Sequence, residues 1–238
     1  MNVSKMAGVA FLTVVVGTLL GASMRGRNPA RSTHSSASQA AASLPKDVYP
    51  ESRNRLPFPK REDMDDYGKK VFDEMTGSRV SGTNQVPLRL YSPRLAKPLG
   101  EAHHYLRYET VLGDRLTGIA VLVTAREMDN QFEWTYWEVH GRAAGAGHVE
   151  PAIIDIIKYN KPVTGLGEKE TVIINFGREL FGKKKVSPET FAHALRLFGP
   201  RGTVDLTNLM ALYCQTGLEL TVFDQQLAEG QEPLLPPR

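Results

Sequence analysis

Two Ser-Pro pairs constrain this chain more than any other feature. Ser92-Pro93 and Ser187-Pro188 each set a capping hydroxyl ahead of a proline at the first helical position, where the missing N–H costs nothing and φ is already helical. After the first pair, Leu95, Leu99 and Leu106 recur at helical spacing as far as Tyr108. Asp114–Glu127 then carries Leu116, Ile119, Ala120 and Val123 at the i, i+3, i+4, i+7 positions of a buried face. Helical stretches follow at Phe132–Ala144, stopped by Gly145 and Gly147, and at Pro151–Lys158 and Thr171–Phe181. Pro188–Phe198, stopped by Gly199, and Asp205–Phe223 complete the series. Alternating strand runs joined by hairpin turns are nearly absent. The spacing predicts an all-α body of successive antiparallel helices without an internal repeat.

At 238 residues the chain can bury one sizeable core. Residues 6–24 hold no charge and are strongly apolar, close to the roughly 20 residues a spanning helix needs. We expect residues 1–24 to be a signal peptide, delivering a periplasmic or secreted protein, or an uncleaved membrane anchor. The bland alternative is a buried core helix. Three arginines follow the apolar run and only Lys5 precedes it, which disfavours simple export on the positive-inside rule. Residues 25–46, rich in Ser, Ala, Arg and Asn, read as a disordered linker. Residues 47–230 are the expected helical domain, entered through a Pro-containing arm, and 231–238 an extended tail. Of the 29 Lys and Arg, five lie in residues 1–46, leaving 24 against 26 Asp and Glu in the body. That balance argues against a nucleic-acid partner, which needs clustered cations to neutralise phosphates.

The stretch from Arg126 to His140 is the richest in chemistry, and it holds both tryptophans of the chain. On a helix Glu133, Trp137 and His140 fall at i, i+4 and i+7 of one face. A carboxyl kept beside aromatic surface has its charged form destabilised, as a proton donor near neutral pH requires. The competing reading makes Trp134, Tyr136 and Trp137 core and the polar groups bridges between helices.

These residues also carry a resemblance. Leu112-Gly113-Asp114-Arg115-Leu116, then Ala120 to Glu127 and Gln131-Phe132-Glu133-Trp134, resemble the carboxymuconolactone decarboxylase family, which shares an all-α fold with the AhpD alkylhydroperoxidases. The likeness runs over about residues 47–230, through Tyr91-Ser92-Pro93, Pro151 to Ile157, Glu179-Leu180 and Gly202 to Leu206. It implies an AhpD-like helical domain, a homo-oligomer (trimer or hexamer), a small-molecule substrate and no cofactor. The implied reaction is decarboxylation of an activated carboxy-lactone, with Glu133 as proton donor and His140 or Arg126 as donor to the enolate oxygen. Arg126 has a second reading, as a surface partner of Glu127 or Asp129. Trp134, Tyr136, Trp137 and Gly118 would line the substrate pocket.

Two departures stand out. The family places a glutamate where this chain has Gly118, and a histidine where it has Trp137. One consequence is a pocket plugged by the indole, leaving an oligomeric scaffold or small-molecule binder. The other is a displaced site, with His140 in the role of the absent histidine. A peroxidase of the AhpD kind would need a CxxC, and Cys214 is the only cysteine. We expect no metal: His103 and His104 point about 100° apart on a helix, and His140 and His148 lack two-histidine helix spacing. Gly165-Leu166-Gly167 reads as a turn, Lys183 to Lys185 as a solvated helix end, and Cys214 as inert core.

Overall fold

The computed structural model describes residues 44–77, 84–145 and 147–238. In chain order its helices are α1 (Asp66–Thr76), α2 (Gln85–Arg89), α3 (Pro93–Tyr108), α4 (Gly113–Glu127), α5 (Gln131–Arg142), α6 (Pro151–Lys158), α7 (Glu168–Gly177) and α8 (Pro188–Val222). The body is all-α; among the described residues the only β pairing is one isolated bridge, Tyr49 with Asn54. The expected leader and nearly all of the linker lie outside the described residues. No helix among those described is long and apolar enough to cross a membrane.

The centre is α4. Every residue from Leu116 to Arg126 is buried, a wider burial than the single apolar face its spacing suggested. Helices α3, α5, α6, α7 and α8 all pack on it, so no face is left for water. The closest approach is at Gly177 of α7, where an added methyl would run into Val123 Cγ1 of α4 with Met210 Cε only 3.3 Å away. Val123 is β-branched and holds one rotamer in a helix, so it cannot swing aside. Gly177→Ala should therefore destabilise the fold by about 1–3 kcal/mol, the overpacking cost exceeding the gain in helix propensity. A lowered denaturation midpoint is the expected reading.

The sequence's stop at Gly199 proves to be a one-residue corner. Gly199 takes φ 68°, and Pro200 resumes the helix at once, so α8 is two arms rather than two helices separated by a loop. Proline disfavours α conformation in the residue before it, and glycine alone enters the positive-φ region freely. Helix α7 ends in a π turn, Arg178–Gly182, pinned by the Arg178 guanidinium on the carbonyls of Ile156 and Lys161 at 3.0 Å. Helices α1 and α2 occupy a region in which the sequence showed only the extended arm and the approach to Ser92.

The terminal segments close over the helices. Residues 52–56 are bonded to the end of α8, with Asn54 Nδ2 donating to Gln225 Oε1 at 3.0 Å and Arg55 N to the Phe223 carbonyl at 2.9 Å. The C-terminal tail crosses α4 and α5: Arg126 Nη1 donates to the Pro236 carbonyl at 3.0 Å, and Leu234 N to Thr135 Oγ1 at 3.1 Å.

Candidate functional site

The site forms where α3, α5 and α8 meet. Asn130 caps α5, its Oδ1 accepting from Glu133 N at 2.9 Å while its Nδ2 donates to the Gly217 carbonyl of α8 at 2.9 Å. These two hydrogen bonds tie the first turn of α5 to α8 and place Glu133 in the interior, 5% exposed. One turn on, Trp137 Nε1 donates to Glu133 Oε2 at 2.8 Å, the i, i+4 relation expected from the spacing. Burial drives the Glu133 carboxyl up to about 7; the indole N–H and the charge of Arg89 oppose that rise, and Glu219 adds to it. Arg89 does not cancel the effect because its guanidinium is already held at 2.8 Å by Glu219 and by Thr216 Oγ1.

Facing Glu133 are two groups from other helices. His103 Nε2 of α3 lies 3.2 Å from the hydroxyl of Tyr213 on α8, and the Tyr213 ring meets Trp137 edge-on at 5.7 Å. Burial, reinforced by the charges of Arg107, Arg89 and His104, holds His103 down at about 4, so its imidazole is neutral at ordinary pH. Burial also raises the Tyr213 phenol, which stays protonated. His103, Tyr108, Glu133, Tyr136, Trp137 and Tyr213 wall a cavity of about 170 Å³, with Phe132 and residues 84–86 completing it. The arrangement joins a carboxyl that changes charge near neutrality, a phenol donor and an aromatic lining, which is a set for moving protons on a small organic molecule.

The structure brings together some of the residues singled out in the sequence and separates others. Glu133, Tyr136 and Trp137 share this cavity. Gly118 and His140 line a second cavity of about 360 Å³ on the far side of the wall made by Tyr108, Tyr136 and Trp137. His140 is exposed, donates from Nδ1 to the Tyr136 carbonyl at 2.7 Å and stacks on the Tyr136 ring with centroids 4.0 Å apart. Beside Gly118 an added Cβ would meet Val149 at 3.3 Å, so Val149 rather than the Trp137 indole takes that space. Trp134 is fully buried and lines neither cavity, its Nε1 donating to Glu138 Oε2 at 2.6 Å. Arg126 holds the C-terminal tail and lines neither cavity.

His103, Tyr213, Arg89 and Arg107 were missed as site residues. The one available signal was the i, i+4 pair His103 and Arg107 on α3, a helix whose only other buried residues are Ala96 and Leu106.

The sequence matches no protein-family model and no curated protein. Solved structures do share its fold. The debrominase Bmp8 gives a TM-score of 0.55 at 13% identity, over 71% of this chain and 89% of its own. A peroxidase-related protein from Ralstonia eutropha JMP134 with an alkylhydroperoxidase AhpD core gives 0.54 at 12% identity, over 76% of this chain and 98% of its own. An antioxidant-defence candidate of the AhpD kind from Agrobacterium tumefaciens gives 0.52 at 13% identity, over 60% and 97%. At such identities the likeness is one of architecture, and the architecture of this chain is the AhpD-like helical fold.

Proposed function

We propose that this chain binds a small carboxylic acid or lactone in the Glu133 cavity and converts it by cofactor-free acid–base chemistry, with decarboxylation as the leading reaction. The observation that carries this reading is the placement of Glu133: a desolvated carboxyl with one oxygen held by an indole N–H, on the wall of an aromatic cavity. In the proposed step the bond to the substrate carboxylate breaks and carbon dioxide leaves. The electron pair passes into a dienolate whose oxygen accepts a hydrogen bond from the Tyr213 hydroxyl, and protonated Glu133 delivers its proton to carbon. The solved neighbours bear names as different as debrominase and peroxidase-related protein, so the fold does not choose among chemistries. A dithiol peroxidase is disfavoured by the single cysteine.

A panel of carboxylated lactones and unsaturated acids, assayed for carbon dioxide release, tests the proposal. For any substrate found, kcat/KM should form a plateau between about 4 and 7, since His103 is neutral above its value of about 4 and Glu133 is protonated below about 7. Above 7 the rate should fall tenfold per pH unit as the proton donor is lost. A rate that rises through pH 7 would mean that Glu133 acts as a base and that the donor assignment is wrong.

The second reading is a binder without turnover. It is favoured by Trp137 standing where the resembling family carries a histidine. Saturable ligand binding with no product at any pH would select it.

A further inference from the structure

The second cavity is lined by a buried arginine whose Nε and Nη1 have no hydrogen-bond partner. Three arginines are buried among the described residues: Arg89, Arg107 and Arg126. Arg89 is matched by Glu219 and Thr216, and Arg126 through Nη1 by the Pro236 carbonyl and Asp129, with its Nε alone left unpartnered. Arg107 is 7% exposed, and its Nε and Nη1 have no hydrogen-bond partner. Its guanidinium carbon lies 4.5 Å over the Trp137 ring and 5.6 Å over the Tyr108 ring. Cation–π contact offsets only part of the cost of burying an unpaired cation. Arg107 lines the cavity of about 360 Å³ together with Tyr108, Tyr136 and Trp137.

We propose that this cavity is a binding site for a small planar monocarboxylate, with Arg107 as its anchor and the three aromatic rings as its bed. A guanidinium takes a carboxylate in bidentate geometry through Nη2 together with Nε or with Nη1, so a bound carboxylate would partner one of the two orphaned nitrogens and use Nη2 as its second donor. Asp114 in the first turn of α4 is the one carboxylate on the wall. Its repulsion favours a ligand with a single negative charge over a dianion. His140 lies at the same cavity, stacked on Tyr136. Glu133 is not on this wall, so the site goes beyond the acid–base reading and survives its failure.

The probes are benzoate and its uncharged counterpart benzamide, titrated into the full chain at pH 7 by calorimetry and by tryptophan fluorescence. Trp134 is fully buried against Glu138, so the optical change should arise at Trp137. Benzoate should bind saturably and at least about tenfold more tightly than benzamide, the range set by a charge-assisted hydrogen bond. Arg107→Gln should remove that preference, Arg107→Lys should keep part of it, and Glu133→Gln should leave it intact. Equal binding of the two probes, no binding of benzoate, or undiminished benzoate binding by Arg107→Gln would each overturn the site. If Arg107→Gln does not fold, the comparison of the two probes on the native chain and the Arg107→Lys result decide alone.

Discussion

Replacing Glu133 with glutamine is expected to abolish turnover and, above neutral pH, to raise the melting temperature. Glutamine keeps the shape and an oxygen acceptor for Trp137 Nε1, now at 2.8 Å from the carboxylate, but it can neither hold nor release the proton. Removing a general acid costs roughly 10²–10⁴ in rate. The stability effect follows from the raised carboxyl, which moves from 4.5 in the free side chain to about 7 in the fold. Below pH 4.5 the group is protonated in both folded and unfolded chains and contributes no difference between glutamate and glutamine. As pH rises towards 7 the unfolded chain gives up the proton while the folded chain retains it, so native stability declines. Above 7 the folded chain carries a buried charge, and the full penalty of about 3 kcal/mol applies. Glutamine never incurs it. The variant should therefore melt about 6–12 °C above the native chain at pH 8 and level with it at pH 4. Identical offsets at the two pH values would show that the carboxyl is solvated, and the acid–base reading would fall with it.

What the sequence made legible was local. The proline starts of α3 and α8, the periodicity of α4 and the Glu133–Trp137 pair are all settled within a few residues, although of the two expected serine caps only Ser187 accepts from its helix, at Thr190 N, and Ser92 makes no side-chain cap bond. What it hid was long-range. Tyr213 reaches His103 across 110 residues of chain, and no periodicity in α3 or α8 encodes that meeting. Arg107 went unmarked in the sequence because burial of a cation depends on what packs over it, here the ring of Trp137 from α5. Gly199 was misread as an ordinary stop because the glycine–proline pair both ends one helix and starts the next without a connecting segment. The tryptophans were the most ambiguous of all. Trp134 and Trp137 are three residues apart, yet one faces the core and the other separates two cavities.

That pair of indoles leads to the other large expectation, a loss of about 3–5 kcal/mol on Glu138→Ala. Helix α5 carries two glutamate–indole pairs: Trp137 donates to Glu133 from one turn above, and Trp134 donates to Glu138 from one turn below. The two carboxyls differ in their cations. Glu138 accepts from Lys158 Nζ at 2.9 Å and from Arg142 at 2.8 Å, whereas Glu133 has no cation bonded to it. A compensated buried charge is a structural tie between α5 and α6; an uncompensated one is a group that titrates. Truncation at 138 strands the Lys158 ammonium, whose side chain is 12% exposed, and leaves the fully buried Trp134 Nε1 without its acceptor. Arg142 can still turn to Asp155, 3.2 Å away, which limits the damage to these two groups. Chemical denaturation at pH 7 should show the loss, and the folded fraction should keep the Glu133 response to pH. A harmless Glu138→Ala beside a strongly destabilising Glu133→Gln would reverse the two roles and make Glu133 the structural tie.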